Sequence, residues 1–301
     1  MTELKKRLAE ALPAFTIREE EPLSAHTSFR IGGSAELMVF PRDLAQLKTV
    51  LRIAREEGVR PRVLGAGTNV LAPDTGVRGL VLCLRDTFMG LTLLDDTHIS
   101  AMAGMTLSRT AMFAARNGLS GLEFAHGIPG TVGGGIYMNA GAYGGELRQV
   151  AVRTLFLHLD GTQAYFEGEA QGFGYRTSAF QSLDGVIVCT EFSLTKSDEA
   201  EVRAKIQALA ERRRASQPLE LPSAGSAFKR PQTGYAAALI EQTGLKGLRV
   251  GGAAVSEKHA GFIVNLGGAT AQDVLALIRE IQERVFDATG VRLEPEVRLW
   301  E

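Results

Sequence analysis

The most informative segment of this chain is LSGLEFAHGIPGTVGGGIYMNAGAYGGE, residues 119–146. Eight of the nineteen residues from Gly127 to Gly145 are glycine, and large apolar residues such as Ile136 and Tyr137 stand between them. A flexible linker would carry polar residues in those places. Glycine reaches positive φ and lets backbone amides touch a ligand. The stretch therefore predicts a folded loop that cradles a cofactor, with a tightly packed β-corner as the alternative.

The overall composition narrows the class of protein. The chain has 301 residues, of which 45% are hydrophobic and 22% charged, and its net charge is −1. This length predicts two or three domains, and the composition is that of a soluble globular protein. A net charge near zero gives no electrostatic reason to expect nucleic acid or an anionic membrane as a partner. No apolar run approaches the roughly 18 residues of a membrane span. We expect a cytoplasmic protein and, by default, a monomer.

The cysteines and histidines indicate neither disulfides nor a metal. Cys83 and Cys189 each stand in a strand-like apolar run, which predicts reduced, buried thiols of a cytoplasmic protein. The five histidines form no HExxH pattern, and there is no CxxC. We therefore expect no structural metal.

Hydrophobic periodicity divides the chain into three predicted regions. The first, 1–78, has a strand–helix–strand pattern, and the second, 79–198, is rich in strands. The third, 199–293, is a smaller α+β unit that begins with an amphipathic helix. We expect the C-terminal strand at 294–301 to join the second region.

Individual elements follow from spacing and from capping residues. Leu4, Leu8 and Leu12 predict a short amphipathic N-terminal helix, and Asp160-Gly161 predicts a hairpin turn. Thr270 begins a helix as part of a capping box. The other predicted helices and strands are 35–40, 42–57, 62–64, 79–84, 98–102, 106–117, 186–195, 199–214 and 292–300.

The sequence GAGTNV at residues 65–70 directly follows a predicted strand. It does not match the dinucleotide fingerprint GxGxxG, because Val70 stands where the third glycine should be. What remains is a glycine turn with small polar side chains, which suits a pyrophosphate held by backbone amides. A plain tight turn is the alternative. The pairing with GIPGTVGGG strengthens the cofactor interpretation, since two such loops can hold one dinucleotide.

A second group of chemically interesting residues lies at 222–231, PSAGSAFKRP. Ser226 stands between small residues, with Lys229 and Arg230 close behind it. A serine in a loop is usually a turn residue. The neighbouring cations favour a functional role, and the absence of a G-x-S-x-G elbow speaks against a serine hydrolase.

Two further motifs contain charged residues whose neighbours suggest a specific role. FGYRTSAF at 173–180 places Arg176 among aromatic residues, which indicates an arginine committed to an anion. LEPEVR at 293–298 places Glu294 and Glu296 on one face of a strand. A surface arginine and a solvated strand face are the alternatives.

Together these motifs resemble the UDP-N-acetylenolpyruvoylglucosamine reductase (UDP-N-acetylmuramate dehydrogenase) family, flavoenzymes of bacterial cell-wall precursor synthesis. The similar segments span nearly the whole chain in the family's order, and the length and the FKRP ending resemble its shorter branch. The segments are HTSFRIGG (26–33), VLGAGTNVL (63–71), 121–146, FGYRTSAF (173–180), QPLELPSAGSAFKRP (217–231), GLKG (244–247) with GGAAVSEKHAGFIVN (251–265), and LEPEVR (293–298).

The resemblance implies an α+β fold with two FAD-binding subdomains of the vanillyl-alcohol-oxidase type plus a smaller α+β substrate-binding domain. It implies FAD as cofactor, NADPH as hydride source and a UDP-sugar enolpyruvyl ether as substrate. No residue distinguishes NADPH from NADH.

By motif match, the resemblance also implies site residues. Ser226 would be the proton donor, and Arg176 and Glu296 would stabilise the enolate. The expected cofactor-binding residues are Gly65, Ala66, Gly67, Thr68, Asn69, Val70, Gly127, Ile128, Gly130, Thr131, Gly133, Gly134 and Asn139. The expected substrate-binding residues are Tyr175, Arg214, Lys229 and His259, with Lys229 ranked first for the diphosphate.

Two alternative functions stay open at this point. One is another FAD-linked oxidase of the same superfamily. The segments 222–231 and 293–298 argue against it. The other is a nucleotide-sugar binding module without catalysis, against which the joint presence of Ser226, Arg176 and Glu296 speaks.

Overall fold

The computed structural model describes residues 2–300 and divides the chain into two compact units. The first unit consists of the described parts of Met1–Glu19, Leu37–Ala66 and Gly79–Arg212. The second consists of those of Glu20–Glu36, Gly67–Arg78 and Arg213–Glu301. Helices and strands occur in both, so the predicted α+β class is confirmed.

The helices and strands follow the chain in this order. The α-helices are α1 (Thr2–Ala11), α2 (Leu44–Glu56), α3 (Leu107–Arg116), α4 (Val132–Met138), α5 (Glu199–Ser216), α6 (Ala236–Gln242) and α7 (Ala271–Thr289). The strands are β1 (Ile17–Pro22), β2 (Ser34–Val39), β3 (Arg62–Leu64), β4 (Val70–Leu71), β5 (Val77–Cys83), β6 (Leu91–Leu93), β7 (His98–Met102), β8 (Leu119–Ser120), β9 (Gly141–Ala142), β10 (Gly145–Glu146), β11 (Ala151–His158), β12 (Gln163–Glu167), β13 (Gly185–Ser193), β14 (Thr195–Lys196), β15 (Ser223–Ser226), β16 (Arg249–Val250), β17 (Ala253–Val255), β18 (Phe262–Asn265) and β19 (Arg298–Leu299).

The core of the first unit forms around a five-stranded antiparallel sheet of order β12-β11-β13-β7-β6. The hairpin β11–β12 turns at the predicted Asp160-Gly161, where Gly161 has a φ of 92°. A second sheet has the order β1-β2-β5-β3, and β3 runs parallel to β5. Leu4, Leu8 and Leu12 are buried in the same core, as the spacing predicts.

The second unit forms around a four-stranded antiparallel sheet of order β15-β18-β17-β16, against which α7 packs. Thr270 and Asp273 form the predicted capping box at the start of α7, which confirms this helix start. Asp74 adds a second cap, because its carboxylate accepts hydrogen bonds from the backbone amides of Ala271 (2.7 Å) and Gln272 (3.2 Å).

The C-terminal segment differs from the prediction. Only Arg298–Leu299 of the predicted strand 292–300 is a strand, and Pro295 makes a single bridge with Phe228. Proline has no amide hydrogen to continue a ladder, which explains the interruption. β19 pairs in parallel with β4, within the second unit, and not with the strand-rich region that we expected it to join. The division into three domains stays a prediction.

The cysteine environments agree with the prediction in part. Cys83 is buried, and desolvation raises the pKa of its thiol to about 11. Cys189 is only half-buried, because it stands on the face of β13 opposite the buried Val188 and Thr190. Within residues 2–300, no three His, Cys, Asp or Glu side chains group as a metal site would require. Over the same residues, no helix is both long and apolar enough to cross a membrane.

Candidate functional site

The loop between β3 and β4 contains the predicted GAGTNV turn and lies against the second glycine-rich segment. A Cβ placed on Gly65 would lie 2.5 Å from the Thr131 hydroxyl oxygen, so the two segments touch where no side chain fits. Gly67 has a φ of 60°, and a Cβ there would lie 2.2 Å from the carbonyl oxygen of His26. Both positions therefore require glycine, Gly65 for its contact with a side chain and Gly67 for its positive φ and its close approach to another backbone. Within the first unit, the structure therefore places the start of the GAGTNV turn against Thr131 of the second glycine-rich segment.

Part of the second segment is used for packing inside the protein. The backbone amide of Val132 donates to Met105 (2.7 Å) and that of Gly133 to Ala103 (2.9 Å). The amide of Gly134 donates to the hydroxyl of Thr131 (3.3 Å), which caps α4. These three amides already have hydrogen-bond partners within the protein. For this turn of α4, the contacts favour tight packing, the alternative to a cofactor cradle.

Asn139 ends α4 in the left-handed conformation with a φ of 43° and is buried. Its amide nitrogen donates to Glu146 Oε2 and to the Gly174 carbonyl, both at 2.9 Å. Its amide oxygen accepts from the backbone of Arg148 at 3.0 Å. Both side-chain donors are used within the protein, which favours an anchoring role over the predicted direct contact with the cofactor.

The remaining predicted cofactor residues lie on the same two segments. Ala66 is buried, Gly134 is exposed, and the backbone amide of Ile128 donates to Ala125 at 3.1 Å. Half-buried are Thr68, Asn69, Val70, Gly127, Ile128 and Gly130.

His126, immediately before the glycine motif, is a polar residue that the sequence analysis missed. Its Nδ1 is buried and has no hydrogen-bond partner among the described residues. Burial lowers the pKa of the imidazole, so the ring is neutral at pH 7. Its sequence signal is its place next to Gly127, at the start of a segment that otherwise lacks charge.

Arg176 occupies a strained turn in the first unit. Its φ is 56°, a conformation that costs a non-glycine residue about 1–2 kcal/mol. The half-buried side chain donates from Nη2 to the Gly141 carbonyl (3.4 Å), and Cζ lies 5.4 Å from the Tyr175 ring centroid. Tyr175 itself is 53% exposed. Strain of this kind persists only where the surroundings fix the backbone, and it clusters at functional sites.

The surroundings that fix this turn come from the glycine-rich segment. The Ser178 hydroxyl and the Gln181 amide nitrogen both donate to the Tyr137 carbonyl at 2.8 Å. Gln181 also donates to the carbonyl of Arg176 at 3.1 Å. The FGYRTSAF motif is therefore attached to the end of α4 by side-chain hydrogen bonds.

Ser226 ends β15 in the second unit. The pairing of β15 with β18 shifts register between Ser223 and Ser226, and Gly225 has a φ of 76° within this bulge. A bulge of this kind re-aims the side chain that follows it. Ser226 is half-buried and lies opposite Phe262.

The LEPEVR segment runs antiparallel beside the Ser226 loop. The backbone amide of Glu296 donates to Ala227 (2.8 Å), and that of Lys229 donates to Glu294 (2.8 Å). The Asn69 side chain donates to the carbonyl of Glu296 at 3.3 Å. The structure therefore brings Ser226, Glu296 and Asn69 together in the second unit, whereas Arg176 lies in the first.

The predicted phosphate contacts have partners of their own. Lys229 forms an ion pair with the exposed Glu294. The exposed Arg214 accepts a hydrogen bond at its carbonyl from Lys258 Nζ (2.7 Å). His259 Nδ1 accepts from the amide of Gly261 (3.1 Å), and burial lowers the pKa of His259 below the ordinary value of an imidazole. Burial disfavours the charged form of His259, so any contact of this ring with the diphosphate would be that of a neutral imidazole, and its place in the site stays a prediction.

Comparison with known proteins adds sequence relatives to this geometry. Residues 217–300 match the UDP-N-acetylenolpyruvoylglucosamine reductase C-terminal domain, and residues 35–163 match an FAD binding domain. The UDP-N-acetylenolpyruvoylglucosamine reductase of Alkaliphilus oremlandii is 44% identical, over 98% of this chain and 96% of its own. Reductase 2 of Symbiobacterium thermophilum is 46% identical, over 94% and 92% of the two chains.

A solved structure agrees with the sequence relatives. The crystal structure of the Thermus caldophilus UDP-N-acetylenolpyruvylglucosamine reductase matches with a TM-score of 0.82 and 36% identity. The match covers 95% of this chain and 100% of that one. Identity at this level over nearly the full length is decisive. This chain belongs to the UDP-N-acetylenolpyruvoylglucosamine reductase family.

Proposed function

We propose that this chain reduces the enolpyruvyl group of UDP-N-acetylglucosamine enolpyruvate to give UDP-N-acetylmuramate, with NADPH as reductant, in peptidoglycan precursor synthesis. The observation that carries the proposal is the hydrogen bond from the Glu296 amide to the Ala227 carbonyl, which brings two distant motifs together beside Ser226. The protein acts in the cytoplasm on a small-molecule substrate and works as a monomer.

The glycine-rich segments fit FAD. Gly65 and Thr131 touch at a point where a Cβ would collide, and His126 Nδ1 is buried with no partner among residues 2–300. Neither 65–70 nor 127–139 contains a charged residue, so backbone amides would hold the pyrophosphate. The residues that would lie against FAD are Gly65, Ala66, Gly67, Thr68, Asn69, Val70, Gly127, Ile128, Gly130, Thr131, Gly133 and Gly134, with Asn139 as anchor. The amides of Ile128, Gly133 and Gly134 already donate within the protein, so these three residues would contribute close approach and no hydrogen bond to the pyrophosphate. When bound, FAD supplies hydride transfer from NADPH to the CH₂ carbon of the enolpyruvyl group.

Arg176 stabilises the negative charge that develops on the substrate. Addition of hydride to the CH₂ carbon leaves charge on the neighbouring carbon, and this charge spreads into the carboxylate. A guanidinium stays charged at every relevant pH and offers a planar fork that matches a carboxylate. Fixed donors aimed at developing charge are the largest single contribution in many enzymes. The strained backbone of Arg176 supports this role, because it indicates a fixed position.

Ser226 donates the proton that completes the reaction. A serine hydroxyl is a very weak acid, so it protonates only a strongly basic centre such as a carbanion. The bulge at Gly225 sets the direction of this side chain.

Glu296 holds the intermediate by a hydrogen bond from its carboxyl group. Its backbone is fixed on both sides, because its amide donates to Ala227 and its carbonyl accepts from Asn69. Lys229 and Arg214 contact the diphosphate as cations. His259 contributes there only as a neutral hydrogen-bond partner, and Tyr175 packs against the substrate.

The experiment that tests this function is an anaerobic absorption titration of the purified protein. We expect flavin bands that bleach with NADPH and return when the enolpyruvyl UDP-sugar is added. Bands that return only with air would indicate the FAD-linked oxidase. Absence of flavin after incubation with FAD would indicate the binding module without catalysis.

A further inference from the structure

Tyr143 forms part of a turn that its residue type disfavours. Tyr143 and Gly144 connect β9 to β10, whose register pairs Ala142 with Gly145. Their φ values are 55° and 86°. Two positive φ values in a two-residue hairpin describe a type I′ turn, for which Asn-Gly is the common sequence. A tyrosine at its first position is strained, and such strain is found at functional sites.

The hydroxyl of Tyr143 is a second unusual feature. It is buried and has no hydrogen-bond partner among residues 2–300. A buried polar atom without a partner costs free energy. Strain and an unsatisfied hydroxyl thus coincide in one residue.

Arg212 places a cation beside this residue. The guanidinium carbon Cζ lies 4.9 Å from the centroid of the Tyr143 ring, and the Arg212 side chain is exposed. A guanidinium is the preferred side chain for two-point contact with phosphate oxygens. A phenol next to a guanidinium offers an anion both a hydrogen bond and a charge.

The hairpin that carries Tyr143 also holds the candidate catalytic arginine. The carbonyl of Gly141 accepts a hydrogen bond from Arg176 Nη2 at 3.4 Å. A Cβ on Gly145 would lie 2.4 Å from Phe124 Cδ1, so the hairpin packs closely against the segment before the glycine motif. The hairpin at 141–146 therefore positions Arg176 and Tyr143 together, within the first unit.

We propose that Tyr143 and Arg212 form a subsite for a nucleotide diphosphate. The diphosphate draws the Arg212 guanidinium away from the ring and accepts a hydrogen bond from the Tyr143 hydroxyl. The proposal rests on the proposed function, in which FAD stays bound through its own pyrophosphate and two exchangeable ligands also carry a diphosphate: the UDP-sugar and NADPH. Both carry the same diphosphate chemistry, so the subsite is defined by that group.

Tyr143→Phe is the decisive variant, measured on the FAD-loaded full-length protein. Calorimetric titration with UDP and, separately, with NADP⁺ gives the two dissociation constants. We expect about 10- to 100-fold weaker binding of at least one nucleotide, as for loss of a hydrogen bond to a charged group. Loss for UDP alone assigns the subsite to the sugar nucleotide, and loss for NADP⁺ alone assigns it to the reductant.

The thermal midpoint without nucleotide separates binding from a structural role. Because the hydroxyl has no partner among the described residues, its removal should leave the Tm unchanged or raise it. A lowered Tm with unchanged nucleotide binding would overturn the proposal, and so would weakened FAD binding with unchanged nucleotide binding.

Tyr165→Phe is the matched control. Tyr165 lies on β12, is 56% exposed, and has Arg153 Cζ at 4.6 Å from its ring centroid. It repeats the arginine–tyrosine pair without strain and should leave nucleotide binding unchanged. Arg212→Gln provides a second variant, with Arg153→Gln as its control.

For Arg212→Gln we expect about 10-fold weaker binding of the same nucleotide. Unchanged UDP and NADP⁺ constants in both Tyr143→Phe and Arg212→Gln would overturn the subsite while leaving the proposed function intact. Failure of the enolpyruvyl sugar to reoxidise the wild-type flavin would overturn the function instead.

Discussion

The Arg176 turn of the first unit and the Ser226 bulge of the second both contain a residue with positive φ, but the residue type differs. Each motif needs one residue with positive φ. In the second unit Gly225 takes that conformation, with a φ of 76°, and Ser226 keeps strand pairing. In the first unit Arg176 takes it itself, with a φ of 56°. Glycine adopts positive φ without strain, whereas arginine does so at a cost of about 1–2 kcal/mol.

The two side chains are therefore positioned by different kinds of interaction. Ser226 is aimed by local backbone geometry. Arg176 is held against its local preference by hydrogen bonds from Gln181 to its carbonyl and from Asn139 to that of Gly174. We therefore expect Arg176→Gly to lower activity without lowering stability, and Gly225→Ala to lower both.

The largest expected effect is that of Ser226→Ala on turnover. Removal of a general acid should lower kcat by about 10²–10⁴, because the carbanion then lacks its proton donor. Stopped-flow measurement of flavin reduction by NADPH should give the wild-type rate, since that step precedes protonation. Turnover within about 10-fold of wild type would exclude the acid role.

Arg176→Lys should lower kcat by about 10²–10³, because a point charge does not replace the planar fork. Arg176→Gly and Arg176→Ala refine the comparison. Both should lose activity, but Gly relieves the strain and Ala keeps it. Relief is worth about 1–2 kcal/mol against about 0.5–1 kcal/mol of added chain entropy, so the Gly variant should unfold at equal or higher denaturant. If the Ala variant is the more stable of the two, Arg176 is not strained.

Gly225→Ala should lower the free energy of unfolding by about 1–2 kcal/mol and also lower kcat, because it disturbs the bulge that aims Ser226. Gly58→Ala is the matched control. Gly58 has a φ of 67° and, like Gly225, no atom within 4 Å of an added Cβ. Urea denaturation should show a similar loss for both variants, whereas only Gly225→Ala should change kcat. Equal kcat values for Gly225→Ala and Gly58→Ala would show that the bulge does not position Ser226.

The smallest expected effect is on acid stability. Burial lowers the pKa values of His126 and His259 in the folded state below the ordinary imidazole value of about 6.5. The unfolded state therefore binds more protons, and the free energy of unfolding falls as the pH drops below about 6.5. His259→Asn keeps a hydrogen-bond acceptor and removes the titration. Urea denaturation should show that the free energy of unfolding differs less between pH 5.5 and 7.5 for this variant than for wild type. An equal difference would show that His259 is not a cause of the acid sensitivity.

Much of the secondary structure could be predicted from local sequence patterns. The spacing of Leu4, Leu8 and Leu12, the Asp160-Gly161 turn and the Thr270 cap all depend on neighbours in sequence. The strand 292–300 was overpredicted, because alternation over LEPEVR resembles a strand while Pro295 interrupts the ladder. The neutral state of His259 could not be predicted, because its burial depends on residues distant in sequence.

The family, the cofactor class and the residue types at the candidate site follow from the amino-acid sequence alone, because they depend on motifs whose order and chemistry are local. The contacts of the individual glycines, such as Gly65 with the Thr131 side chain and Gly133 with Ala103, depend on the folded chain and could not be predicted. The tertiary structure alone placed the left-handed conformation on Arg176 and Tyr143, where no local preference favours it. Long-range hydrogen bonds can impose a backbone conformation that sequence propensity opposes.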